Sequence, residues 1–294
     1  MMFVSAIERA TAFTRPIHFI TRYYGSTEIH AGTATLFFIN SDGWALTCRH
    51  VAAELLGADQ LLARYTDFKA KRSQTKGQKK EKQLLKELER QSGFLPGVSV
   101  EVYWNVMNCI EGQLHARIIP HPTIDIALVH FDGYDRLLCT EFPIFAEDDS
   151  QLKQGKFLCR LGFPFPEFTN YAYHAASEKI VWTSTGRINT PRFPIEGMVT
   201  RHLIKDNAVV GFEMSTPGLR GQSGGPAFDT DARVWGMQAA TNHLDLSFDV
   251  DADVMRGAKK TRVRDHAFLH VGQCVHVALL KEFMGANGVS FRTG

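Results

Sequence analysis

Apolar residues fall mostly in short runs of strand length, divided by turn residues, and only three stretches show helical spacing. Strands are predicted at about 17–24 and 32–40, the second containing Ala34-Thr35-Leu36-Phe37-Phe38-Ile39 before a turn at Ser41-Asp42-Gly43. Further strands follow at about 98–110, 114–120 and 124–131. The second half offers strands at about 156–161, 178–189, 198–204 and 208–214, with a hairpin turn at Lys205-Asp206-Asn207, and another from Val234 to Ala240. Helices are expected over residues 1 to about 14, ended by Pro16, and over about 273–284, with Gly285 as the C-cap. The prediction is an all-β fold with short N-terminal and C-terminal helices.

One segment interrupts this pattern. Between Gly57 and Gly97 lies an insertion whose centre, Lys69 to Arg90, holds nine Lys or Arg against three Glu. Leu84, Leu85 and Leu88 suggest a helix with one narrow apolar stripe, expected to add little to the stability of the fold. A basic helix of this kind is usually a solvated face, and without interleaved aromatic residues a nucleic-acid partner is not expected. The acidic, turn-rich stretch from Glu141 to Gln154 reads as the connection between two halves, residues 1–145 and 146–294.

Composition adds limits. The chain has 294 residues, 44% of them hydrophobic and 22% charged, which excludes disorder of the whole chain. A net charge of +2 is too small to argue for nucleic acid. The five cysteines, Cys48, Cys109, Cys139, Cys159 and Cys274, are odd in number and mostly sit in apolar runs, so free buried thiols are expected. The start carries no basic stretch leading into a sustained apolar run, and nowhere do about 18 apolar residues follow one another. A soluble, cytoplasmic protein without a membrane partner is the expectation.

Candidate chemistry centres on Gly221-Gln222-Ser223-Gly224-Gly225-Pro226. A serine hydroxyl is a weak nucleophile and needs both a base and a group to hold negative charge on the attacked oxygen. Without a Cβ, Gly221 can adopt backbone angles that bring its N–H and that of Ser223 to one point, as an oxyanion hole does. Leu46-Thr47-Cys48-Arg49-His50-Val51 places His50 just past the second strand of a hairpin, where it can serve as a base. Thr123-Ile124-Asp125-Ile126-Ala127-Leu128-Val129 sets one acid in an apolar strand, where a carboxylate wants a partner such as an imidazole N–H. The order His, Asp, Ser is one of those in which Ser-His-Asp triads occur.

These three segments resemble the trypsin-like peptidases of the chymotrypsin fold, in particular the bacterial branch similar to the HtrA protease domain, from about Gly32 to about Gly285. The resemblance implies two packed six-stranded β-barrels with a cleft between them. It implies His50 as general base and acid, Asp125 as its orienting carboxylate, Ser223 as nucleophile, and no cofactor or metal. Related exported proteases carry a PDZ domain after the last helix; with nine residues left after Gly285, none is expected here.

The pattern also departs from that family. Gln222 stands where digestive relatives have an aspartate that pairs with a new N-terminus, so control by loop ordering or a regulatory protein partner is expected. Pro217 stands at the position that selects Lys or Arg in those enzymes. The pocket walls are expected from Gln238-Ala239-Ala240-Thr241, whose small side chains leave room for an apolar group, the leading expectation; the alternative is an acidic group, favoured by Arg220 beside the oxyanion loop. Ala239 replaces a hydroxyl residue that supports the catalytic acid in relatives. His266, His270, Cys274 and His276 form the densest His/Cys cluster, but a zinc site would need them to converge, which a strand does not favour. The leading expectation is a serine endopeptidase acting on protein or peptide; the alternative is a weakly active scaffold of the same fold that binds proteins.

Overall fold

The computed structural model describes residues 3–294. The predicted N-terminal helix is α1 (Val4–Phe13), with Met1 and Met2 outside the described residues. Pro16 does not end it. That residue lies inside β1 (Thr14–Tyr23), paired with Thr35, and is tolerated because pairing on the other side of β1 starts only at Ile17.

The first sheet comprises β1, β2 (Ile29–Phe38), β3 (Trp44–Thr47), β4 (Ser99–Val106), β5 (Ile110–Pro120) and β6 (Ala127–Leu137), in the order β4-β1-β2-β3-β6-β5. Its edge strands are therefore consecutive in the chain, as in a sheet curled towards a barrel. The predicted strand at about 98–110 is divided, because Asn108 takes a left-handed conformation between β4 and β5.

The second half holds β7 (Ile144–Phe145), β8 (Phe157–Gly162), β9 (Tyr171–His174), β10 (Lys179–Trp182), β11 (Phe193–Lys205), β12 (Ala208–Met214), β13 (Pro226–Phe228), β14 (Arg233–Arg256), β15 (Lys259–His276) and β16 (Arg292–Thr293). Eight of these form one sheet in the order β13-β8-β11-β12-β15-β14-β7-β16, rather than the expected six, because the two-residue strands β7 and β16 extend its edge. The predicted strand at about 178–189 shrinks to β10, which pairs only with β9. Asp206 and Asn207 both have positive φ, the geometry that a tight hairpin asks of its two central residues. The chain is mostly β, in two curled sheets with few helices, consistent with a double-barrel fold.

The insertion differs most from its expectation. α2 (Arg49–Thr75) starts at the residue before His50 and runs for 27 residues; α3 (Glu81–Ser92) follows. Tyr65 and Phe68 of α2 pack with Phe94 and Val100 into a buried cluster, with Leu88 and Tyr24 against it. Leu84, by contrast, is exposed. The insertion therefore packs onto β4 mainly through its aromatic residues, with Leu88 of the leucine stripe beside them.

Beyond Thr241 and Gly272, β14 and β15 continue as a two-stranded ribbon, since β12 pairs with β15 only from Gly272 to Val275. One of its faces is a charge ladder, with Asp249 to Arg264 at 2.6 Å, Asp251 to Arg262 at 2.8 Å and Asp253 to Lys260 at 2.9 Å. The last helix is α4 (Val277–Ala286), later than expected because β15 runs through to His276, whose ring accepts a hydrogen bond from the Ala278 N–H. Gly285 lies inside this helix and Asn287 caps it.

One large hydrophobic core runs through both halves, from Phe13 and Phe37 to Phe145, Phe228 and Met284. Among the described residues no helix is long and apolar enough to cross a membrane.

Candidate active site

Asp125 lies in the loop before β6, not inside a strand, and is about one third exposed. The loop position lets one carboxylate reach both ends of the residue it serves. Asp125 Oδ1 accepts the His50 backbone N–H at 2.9 Å, and Oδ2 lies 2.8 Å from His50 Nδ1. The first turn of α2 is thus pinned together with the imidazole it carries. The Asp125 hydrogen bond pushes the His50 pKa up from 6.5, against the opposing effect of burial. Burial alone would raise the Asp125 pKa, but the hydrogen bonds from the His50 ring and backbone hold it below the usual carboxylate value.

Ser223 and His50 line one cleft of about 600 Å³ between the two halves, together with Gly221, Arg220, Phe19, Thr33 and Glu54. The Ser223 hydroxyl donates to the Ala239 carbonyl at 3.5 Å. Among the described residues neither the Gly221 nor the Ser223 N–H donates a hydrogen bond, so both donors are free to serve a ligand. Gly221 has φ of +89°, and a Cβ there would come within 2.4 Å of the Phe163 carbonyl oxygen. Only glycine fits this turn.

The turn is held by β2 of the opposite sheet. Thr35 is fully buried; its hydroxyl donates to the Gly221 carbonyl at 2.6 Å and its N–H to the Ser223 carbonyl at 2.9 Å. Gln222 ties the same loop from inside, accepting from Leu219 N at 3.0 Å and donating to the Phe193 carbonyl at 3.1 Å. It does so as a neutral residue. Thr35 carried no signal in the sequence, because a threonine in a strand is ordinary.

The expected pocket residues divide. Ala239 and Ala240 border the serine and are partly or fully open to solvent, while Gln238 is buried behind them. Thr241 donates to the Gly218 carbonyl at 2.6 Å, which ties that strand to the segment carrying Pro217. Arg160, from the middle of β8, is fully buried against Gln238 and Pro217. Sequence reasoning passed over it, although a lone cation in Phe157-Leu158-Cys159-Arg160-Leu161 gives the same signal that singled out Asp125.

His266, His270, Cys274 and His276 do not converge. Spread along β15, they span roughly 30 Å at the rise of a strand. His266 pairs with Asp249 and His270 with His243. Cys48, His50 and Asp125 do lie close enough together for a metal, their candidate ligand atoms within 4.8 Å of one another. Burial, then Asp125, pushes the Cys48 thiol well up, and it donates to the Gln238 carbonyl, so it stays protonated.

Residues 32–237 match the family described as trypsin-like peptidase domain. The chain belongs to that family. No curated protein matches the sequence. Among solved structures, this trypsin-like chain is similar to the HtrA-type protease AlgW with a tripeptide, at 10% identity and a TM-score of 0.47, covering 96% of this chain and 62% of that one. A variant of AlgW with a decapeptide gives 11% identity and a TM-score of 0.49, covering 96% and 65%. The chain thus spans less than two thirds of the length of these structures.

Proposed function

We propose that this trypsin-like peptidase is a serine endopeptidase, with Ser223 as nucleophile, His50 as general base and acid, and Asp125 as the carboxylate that orients it. The observation carrying this reading is the bond from Asp125 to His50 Nδ1 at 2.8 Å, on an imidazole that shares its cleft with Ser223. With Nδ1–H committed to Asp125, Nε2 is left to take the Ser223 proton as Oγ attacks a peptide carbonyl. The N–H groups of Gly221 and Ser223 receive the developing oxyanion. His50 then returns the proton to the leaving amine, giving an acyl-enzyme that water hydrolyses by the same steps in reverse.

A second reading, a protein-binding scaffold with negligible cleavage, is favoured by one detail. The Ser223 hydroxyl donates to Ala239 and not to His50. Catalytic hydrogen bonds are often long before substrate arrives, which is why this detail ranks second. A fluorophosphonate separates the two: it is expected to form a covalent adduct on Ser223 that disappears in Ser223→Ala. A folded protein left unlabelled would overturn the peptidase reading in favour of the scaffold.

A further inference from the structure

Arg160 is a buried cation without a counter-charge. Its side chain is fully buried, and no carboxylate pairs with it among the described residues. Nη1 donates to Gln238 Oε1 at 2.6 Å, while Nη2 donates to the Thr216 carbonyl at 2.9 Å, the Thr216 hydroxyl at 2.6 Å and the Pro217 carbonyl at 3.0 Å. Nε is buried and has no acceptor. These neutral acceptors solvate the charge but do not cancel it, and an uncancelled charge in an apolar interior is costly.

Its position gives the charge a direction. Pro217 and the strand from Gln238 to Thr241 are the two walls expected around the specificity pocket, and Arg160 bonds to both. Gly272, paired with Thr241 across β14 and β15, lies directly against the guanidinium, since a Cβ there would come within 1.8 Å of Nη1. Arg160 therefore lies buried behind the Gln238 side chain, which fills the space between Gly218 and Thr241.

The guanidinium also fixes the amide in front of it. Because Gln238 Oε1 accepts from Arg160, the amide NH₂ must face the other way, and it donates to the Ala240 carbonyl at 2.6 Å beneath Gly218. The reverse orientation would set two donors against each other. The Gln238 amide N–H is thus the donor nearest the two walls, and Arg220 places a second cation in the cleft with Ser223. The wall residues Pro217, Gly218, Ala239, Ala240 and Thr241 include no acid.

Resting on the peptidase reading, we infer that the specificity pocket selects an acidic residue, Glu or Asp, on the N-terminal side of the cleaved bond, with Arg160 acting through the Gln238 amide. The substrate carboxylate replaces the Ala240 carbonyl as acceptor of the amide N–H and supplies the charge that Arg160 lacks. An apolar side chain in the same place would gain nothing from either group. Arg160 is here a positioning residue that sets the polarity of the pocket.

The test uses the full chain and a set of quenched fluorescent peptides that differ only at that residue, with Glu, Asp, Gln, Val, Leu or Arg. Glu or Asp is expected to exceed Val and Leu by at least tenfold in kcat/KM. Arg160→Met, of similar length and no charge, is expected to cut the Glu-to-Val ratio at least tenfold; Arg160→Lys is expected to keep part of the preference. Wild-type preference for Val or Leu would overturn the inference, as would an unchanged ratio in Arg160→Met. The wild-type ranking decides the matter even where Arg160→Met does not fold. Wild-type protein that Ser223-directed fluorophosphonate fails to label overturns the peptidase reading instead, and with it this one.

Discussion

At the scale of single residues, the proposed chemistry rests on how Asp125 and Gly221 constrain their neighbours. A general base must be neutral to accept a proton, and the Asp125 hydrogen bond raises the His50 pKa above 6.5. Activity is therefore expected to grow as pH rises through a midpoint above 6.5, read as the acidic limb of kcat/KM. Asp125→Asn removes the largest cause of the shift, so the limb should move to lower pH while turnover falls by about four orders of magnitude. A limb that stays in place would separate the two residues functionally. Gly221→Ala sets a methyl against the Phe163 carbonyl and should tilt the turn that carries one proposed oxyanion donor. Loss of one such donor costs about two to three orders of magnitude in kcat, so single-turnover acylation should slow by that much. The Gly-x-Ser turn was legible because His50 and Asp125 precede it in an order known for Ser-His-Asp triads. Arg160 was not, because its partners are carbonyls, a hydroxyl and an amide brought in from 56 to 78 residues away.

At the scale of elements, the insertion shows what a leucine count misses. Its stability comes from Tyr65, Phe68, Phe94 and Val100, which lie in two segments flanking the charged centre and meet only when α2 lies on β4. Phe68→Ala is expected to cost about 3–5 kcal/mol locally. Hydrogen exchange should show α2 and α3 losing protection beyond Tyr65, while fluorophosphonate still labels Ser223. Loss of that label would mean that the far end of α2 holds His50 in place. Most strands of the two sheets were readable as short apolar runs bounded by turn residues; around Phe37, Leu46 and Phe212 both faces are buried, so the run itself and not a period of two is the signal. The ribbon was not. Its run Asp249-Val250-Asp251-Ala252-Asp253 alternates with strand period, but aspartate is a poor strand former, and what holds it extended is the facing row of Lys260, Arg262 and Arg264.

At the scale of the whole molecule, the two halves share one apolar core, and the cleft lies where they meet. The turn bearing Ser223 belongs to the second half, yet Thr35 of the first holds it. Folding of either half alone would leave Ser223 without its setting. The five thiols bear on this in another way. All are free and buried, Cys48, Cys109 and Cys139 in the first half and Cys159 and Cys274 in the second. Burial pushes Cys109, Cys159 and Cys274 up to about 12 and Cys139 up to about 11. Thiolate is the reactive form, so the first three carry about a thousandfold less of it at neutral pH than an ordinary thiol near 9. In the native state none should react with an aromatic disulfide reagent on the timescale of seconds; in denaturant all five should. The chain thus carries its own set of clocks. Alkylation for graded times, followed by mass spectrometry, would date the opening of each half separately, and simultaneous labelling of Cys109 and Cys274 would mean that the molecule opens in a single step.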